Sequence, residues 1–505
     1  MWEAILQVLP YVFSVRGIAM MILGTAIGIV VGVLPGFSAA MGLALAVPIT
    51  FVMSPEIGLL VLAGIYNGAI YGGSIAAILV NIPGTPAAIA TSLDGYQMTK
   101  KGQANVALEA GLSASVFCGI VSALALLFIA PLLARVSLSI GPPEVFWLAM
   151  IGMTVVVSLE TGSVVKGLIA GALGLFASTI GLDPVTARPR FVFGITGLLG
   201  GVDPVCAVIG LFSIPQAIRL AERRTENISA EIVRTGEEVK VKPFHLFPKY
   251  WRTYVRSSIL GTIIGIIPAA GADIAALIGY NEARRNSKEA NQFGKGHPEG
   301  VIGAEAANNA VTGGSMVPAL TLGIPGNSCA AVILGGLMIH GLTVGPQLFQ
   351  NNPHAVYAFM LGMLVTNIIM FFLGHYGARR VFVNVVKVPN NILGPVVVVL
   401  SVIGSFAIRN SISDVIIMLA FGVIGYVMEK YGYPTAPVVL TLILGPLAEA
   451  NLFRTISMGG GSIRPLFTRP ISIAFMLITI VSLVASLIRD FRLGGKVKNE
   501  KPAAC

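Results

Sequence analysis

Of the 505 residues, 55% are hydrophobic and 11% charged, with a mean hydropathy of +0.85, against about 25% charged in a soluble domain. That balance excludes an ordinary soluble fold and reads as a polytopic membrane protein. The net charge of +10 lies in short loops and at the C-terminus, which is a positive-inside signal rather than a nucleic-acid face.

In chain order, Ala4 to Val15 is apolar but short and interrupted by Pro10, and is expected along the membrane interface. Met1 to Arg16 lacks a basic n-region and contains Glu3, so no cleavable signal peptide is expected. Ile18 to Thr50 carries GIVVGVLPGFSAAMG from Gly28 and is predicted to form a re-entrant hairpin with its tip at Pro35. YGGSIAAILVNIPGTPAA from Tyr71 is predicted to be a discontinuous crossing, broken at Pro83 and Gly84. Stretches long enough to cross, about 20 residues each, follow near Asn105 to Pro131, Pro143 to Ser158, Val164 to Ile180 and Phe193 to Ile214. The polar connection from Arg219 to Arg256, with nine Lys or Arg against five Glu, is cytoplasmic by its charge.

The pattern then repeats. GTIIGIIPAAGADIA from Gly261 sets Gly261, Gly265 and Pro268 against Gly28, Gly32 and Pro35. TGGSMVPALTLGIPGNSCAA from Thr312 sets Gly313, Gly314 and Ser315 against Gly72, Gly73 and Ser74 and, after one inserted residue, Ile324, Pro325 and Gly326 against Ile82, Pro83 and Gly84. Crossings follow near Ala355 to Gly374, Pro389 to Ile408, Ser411 to Met428 and Pro434 to Glu449, and Ile471 to Ile488 is an extra helix before a basic tail. The chain divides into a first repeat (1–218), a cytoplasmic connection (219–256), a second repeat (257–453), and the extra helix with its tail (454–505).

Loop charge tests the relative orientation of the repeats. Phe51 to Ile57, between the first-half motifs, has no Lys or Arg, and the loop after the second motif has Lys100 and Lys101. In the second half the stretch between motifs carries Arg284, Arg285, Lys288 and Lys295, and Gly341 to His354 has none. Corresponding loops are expected on opposite sides, so the fold class is an all-α membrane protein of inverted-topology repeats, each with a re-entrant hairpin and a discontinuous helix. Arg188, Arg190, Arg454, Arg464 and Arg469 fall on the outer side of this arrangement and run against it.

Broken backbone inside a bilayer is costly unless it lines a cavity or binds something, and paired breaks in two halves point to a transporter's binding site. Thr85 before Pro86, and Asn327 with Ser328 before an apolar run, are cap-like residues at restarted helices. Two helix N-termini near the midplane would offer free N–H groups to an anion. The expected substrate-binding residues are Ser38, Pro83, Gly84, Thr85, Pro325, Gly326, Asn327 and Ser328. Ser74, Asp273, Asn308, Asn309 and Ser315 are the expected cation-binding residues, for sodium or a proton as coupling ion. Glu305 is a second intramembrane carboxylate, with a cytoplasm-facing position as its bland alternative. Paired glycines can equally serve close helix packing alone.

No metal site, other cofactor or enzyme is expected. Cys118, Cys206 and Cys329 lie in apolar segments and Cys505 ends the chain, giving no disulfide framework or zinc spacing. No HExxH, Ser/His pair or plausible carboxylate dyad supports an intramembrane enzyme, and the five histidines are scattered. A passive anion channel would need a continuous pore rather than an occluded midplane site. The absence of a Walker A motif excludes a self-contained ATP-driven pump.

GVLPGFSAAMGLALAVPIT, GGSIAAILVNIPGTPAAIATSLDGY, and the run from YNEARRNSKEANQFGKGHPEG through EAANNA to LGIPGNSCAA closely resemble the large membrane subunit of tripartite tricarboxylate transporters, from about Gly17 to about Leu466. The resemblance implies a multi-pass bacterial inner-membrane importer of carboxylates, cation-driven, working with a small membrane subunit and a periplasmic solute-binding protein. The family's usual Pro-Gly at the second hairpin tip is Pro268-Ala269 here.

Overall fold

The computed structural model describes residues 2–34, 37–81, 84–137, 140–159, 163–183, 186–222, 241–267, 271–345, 347–377 and 390–497. The hairpin tips at Pro35 and at Pro268 with Ala269, the break residue Pro83, much of the polar connection, and the tail lysines Lys498 and Lys501 lie outside the described residues.

The first half opens with α1 (Trp2–Val12), then α2 (Val15–Val33) and α3 (Ala39–Thr50), the two arms of the first hairpin segment. α4 (Pro55–Val80) ends at the first break and α5 (Ala88–Lys100) starts beyond it. α6 (Ala104–Ser137), α7 (Pro142–Leu159), α8 (Val164–Ser178) and α9 (Pro204–Glu222) complete the half. In the second half α10 (Phe247–Ile266) and α11 (Gly271–Asn286) flank the expected hairpin tip, with α12 (Pro298–Leu322) and α13 (Ser328–Ile339) on either side of its break. α14 (Pro353–Gly377), α15 (Asn390–Arg409), α16 (Ile412–Lys430), α17 (Ala436–Met458) and α18 (Pro470–Val497) follow. Among the described residues, nine helices are long and apolar enough to cross a membrane.

Several expectations change. The crossing predicted from Phe193 becomes helical only at Pro204, where Asp203 Oδ1 accepts from the N–H groups of Val205 (2.8 Å) and Cys206 (3.3 Å). Gly194, Gly197, Gly200 and Gly201 keep the preceding stretch irregular apart from a 3₁₀ turn at Thr196–Leu198, because glycine loses most backbone entropy in a helix. A small antiparallel pair, Gly181–Leu182 with Pro189–Arg190, interrupts an otherwise helical fold. α1 packs against α14 and buries Ile5, Val8 and Val12, so it is held by protein as well as by any interface. α2 alone is among the helices long enough to cross, so its length fits a full span as well as a re-entrant arm. Two of the five outer arginines are paired, Arg190 with Glu449 and Arg469 with Glu144.

Helix packing recurs between the halves. α2 lies along α4 and α10 along α12; α6 packs on α12 and α14 on α4; α9 meets α16 and α8 meets α17. Each half thus completes its packing with helices of the other. The glycines show why. A Cβ on Gly28 or Gly32 would strike the backbone carbonyls of Ile65 or Ala69 on α4, and one on Gly261 would strike Ala307 on α12. These faces bring backbone against backbone, a packing mode that only small residues permit.

The contacts also correct the internal alignment. Gly72 abuts Gly32 and the Ile29 carbonyl, and Gly314 abuts Gly265 and the Thr262 carbonyl. The break glycines press on Gly73 and on Ser315 respectively. Gly72 therefore answers to Gly314 and Gly73 to Ser315, with no inserted residue, and the repeated GGS letters are one position out of structural register.

Gly84→Ala is expected to lower the melting temperature of the detergent-solubilised protein by several degrees, because the new methyl would overlap the Gly32 carbonyl oxygen and overpacking costs about 1–3 kcal/mol. Gly111→Ala, whose Cβ would meet its nearest neighbour at 3.5 Å, should change little. Equal melting temperatures for the two variants would contradict backbone contact at the break.

Candidate functional site

Both breaks are built alike. α4 ends at Asn81 in the left-handed conformation (φ 56°) and α12 ends at Gly323 in the same conformation (φ 72°). Asparagine and glycine are the residues that tolerate this cap. The chain then turns through Gly84, whose N–H donates to the Gly73 carbonyl (3.3 Å), or through the buried Pro325 and Gly326, where a Cβ would lie 2.6 Å from the Gly265 carbonyl oxygen. Close packing of Gly84 against α2 and α4, and of Gly326 against α10 and α12, fixes both interruptions.

The restarts differ. Asn327 caps α13, its Oδ1 accepting from the Ala330 N–H at 2.8 Å, while its Nδ2 donates to the Tyr66 hydroxyl at 2.8 Å. Tyr66 in turn lies 3.0 Å from Ser315 Oγ. A first-half tyrosine therefore orients the second-half cap, a link that sequence spacing does not reveal. Ser328, half-buried, opens α13. Thr85 was expected as the corresponding cap and is not one. The stretch Thr85–Ala87 forms a tight turn in which the Ala88 N–H donates to the Thr85 carbonyl (3.0 Å) and the Ile89 N–H to Pro86. The backbone satisfies those donors itself, leaving Thr85 Oγ1 buried against Gly73 without a hydrogen-bond partner. Ser38 caps α3, accepting from the Met41 N–H at 3.1 Å.

The expected cation residues do not form one cluster. Ser315 belongs to the Tyr66 link. Asp273 stands exposed in the first turn of α11, beside Cys329 of α13, and no hydrogen bond joins it to the other four. Asn309 Nδ2 donates to Ser115 Oγ (2.8 Å) and to Glu305 Oε2 (3.2 Å). Glu305 also accepts from Ser115 Oγ (3.1 Å) and from Thr91 Oγ1. Asn308 is fully buried next to it. Ser74 donates to the Tyr71 carbonyl (2.8 Å), and its hydroxyl and the Glu305 side chain both lie beside Gly111. Glu305 has 0% exposure, so its cytoplasm-facing alternative fails. A local reading of GAEAANNA cannot find Thr91 and Ser115, because α5 and α6 supply them from about 200 positions away.

Asp94 is another buried carboxylate, and its role is structural. Oδ1 accepts from the N–H groups of Gly296 (2.7 Å) and His297 (2.9 Å), and Oδ2 from the Tyr280 hydroxyl (2.9 Å). It ties the start of α12 to α5 and α11, which accounts for the glycines of NQFGKG: Gly296 holds a positive φ of 94° against the α5 backbone.

The model of the tripartite tricarboxylate transporter TctA family matches residues 18–440. A protein of Agrobacterium vitis, described as an uncharacterized 52.8 kDa protein in the TAR-I ttuC' 3' region, is 35% identical over 473 residues, covering 93% of each chain. A second from the same organism, described as an uncharacterized protein in the TAR-II ttuC' 3' region, is 31% identical over 232 residues, 46% of this chain and 96% of the relative. No solved structure matches. With nine apolar helices of crossing length among the described residues and a family match over most of its sequence, the chain is a multi-pass membrane protein that belongs to the tripartite tricarboxylate transporter TctA family.

Proposed function

We propose that this protein is a secondary active importer of an organic carboxylate, cation-coupled, seated in a bacterial inner membrane and supplied through a small membrane subunit and a periplasmic solute-binding protein. The observation that carries the reading is the matched pair of breaks, each ending in a left-handed cap and each held by glycine contacts to its own hairpin arm. The restart of α13 presents N–H groups and a positive dipole end to an anion without a buried Lys or Arg, and α5, whose first donors its own turn satisfies, adds its dipole end. The unpartnered Thr85 hydroxyl and the half-buried Asn327 and Ser328 supply further polar contacts to a carboxylate and its substituents.

The halves are inverted with respect to each other in this reading, as the loop charges suggest, and substrate sits where α3, α5, α11 and α13 approach. α3 packs on α13 and α5 on α11, so each restarted helix is covered by the hairpin arm of the other half. Movement of one half against the other would open the site to either side.

In a cysteine-free background, Ser54→Cys and Lys288→Cys should react with a membrane-impermeant maleimide from opposite faces; labelling from one face would sink the inverted arrangement. Thr85→Val should leave thermal stability nearly unchanged, because the hydroxyl it removes has no protein partner, yet weaken substrate affinity several-fold. Asn327→Ala should lower both stability and affinity, since losing a cap costs about 0.5–2 kcal/mol. Unaltered uptake affinity in both variants would remove the helix ends from the binding site.

A further inference from the structure

We propose that Glu305 is the charged ligand of a sodium ion held between the two halves by Thr91, Ser115, Asn308 and Asn309. The proposal deepens the cation coupling of the reading above and locates it away from Asp273.

Three observations carry it. First, a lone carboxylate inside a membrane is costly, about 2.5–3.5 kcal/mol on the most lenient scale, and Glu305 has 0% exposure with no Lys, Arg or His paired to it among the described residues. Hydroxyl and amide donors reach it from Thr91, Ser115 and Asn309, but they bring no compensating charge. Second, neutral oxygen ligands surround it. Asn309 Oδ1 and both polar atoms of the Asn308 amide have no hydrogen-bond partner within bonding distance although their side chains are 1% and 0% exposed, and the Asn308 amide lies against the carboxylate with its nitrogen side. Buried acceptors normally find partners. Oxygen-only ligation is what a hard cation prefers, and a single positive charge balances the single carboxylate where a divalent ion would leave a net charge buried. A proton on Glu305 would neutralise the carboxylate and still leave at least one amide oxygen unmatched.

Third, the packing does not itself require an acid here. In the other half Asn67 donates to Thr366 Oγ1 (2.9 Å) as Asn309 donates to Ser115. Gly362 abuts Ala63 as Gly111 abuts Glu305. In the corrected register Ala63 occupies the place of Glu305 and Asn67 that of Asn309. Asn67 Oδ1 also lacks a partner, but alanine fills the carboxylate's place beside it. The same helix contact is thus made with and without a carboxylate, and only one copy carries charge. That copy joins α5 and α6 of the first half to α12 of the second, so a bound ion would bridge elements that must move relative to each other.

The test is the melting temperature of the purified protein in detergent, measured from zero to high sodium chloride with choline chloride holding ionic strength fixed, at two pH values. The wild type should be stabilised by sodium with saturation and not by choline. Glu305→Gln should abolish that stabilisation, and Asn309→Ala should raise the half-saturating sodium concentration about tenfold. Asp273→Asn should retain the response. If Glu305→Gln does not fold, Asn309→Ala and Ser115→Ala carry the same test, and wild-type sodium response in both would overturn the site. A sodium-dependent shift that persists in Glu305→Gln, or that Asp273→Asn removes, would also overturn it. So would stabilisation of the wild type by low pH with no sodium effect, which would make Glu305 a proton carrier. Carboxylate-dependent stabilisation is recorded separately in the same preparations, so substrate binding can survive the failure of the sodium site.

Discussion

Interrupted backbone inside a bilayer must be satisfied or enclosed by protein, and the glycine contacts at the breaks meet that demand. Where α4 stops at Asn81, Gly84 enters the notch between Gly32 and Gly73. Where α12 stops at Gly323, Gly326 enters the notch between Gly265 and Ser315. No larger side chain fits the first notch without moving a carbonyl. The helix restarts, the caps and the cross-half hydrogen bonds all depend on this approach, because it sets how far each restarted helix stands from the hairpin arm that covers it.

Side chains then exchange across the halves. Tyr66 of the first half fixes Asn327 of the second, Thr91 and Ser115 of the first reach Glu305 of the second, and Asp94 of the first caps the start of α12. Buried hydrogen bonds of this kind are expensive to leave unmade, so the two halves report on each other's position. A carrier whose halves shift between two arrangements would have to break or remake such bonds.

Much of the architecture was legible in the sequence because proline and glycine act locally. Hydropathy located most of the helices, and the LPG, NIPG and GIPG segments marked the interruptions. The same logic misplaced the start of α9, where apolar residues continue through Phe193 to Val202 but four glycines and the Asp203 cap decide the boundary. It also matched GGS to GGS, although packing pairs Gly73 with Ser315. Of the site, Asn327 and Ser38 could be recognised as caps from one residue and its position. Thr85 could not be excluded as one, since whether its hydroxyl is needed depends on the turn that Pro86 imposes. Tyr66, Thr91 and Ser115 left no local signal, being ordinary members of apolar helices brought in from distant sequence.

The central claim is that two enclosed helix breaks form an occluded site in a carrier that works against a gradient. Reconstituting the chain with the proposed small membrane subunit and solute-binding protein in vesicles, and measuring the internal concentration of labelled carboxylates under an imposed inward sodium gradient, tests that claim most directly. Accumulation of at least one carboxylate above its external concentration, lost when the gradient is collapsed, is the predicted result. Uptake that stops at equal concentrations on both sides whatever the gradient would contradict it and make the protein a passive pathway.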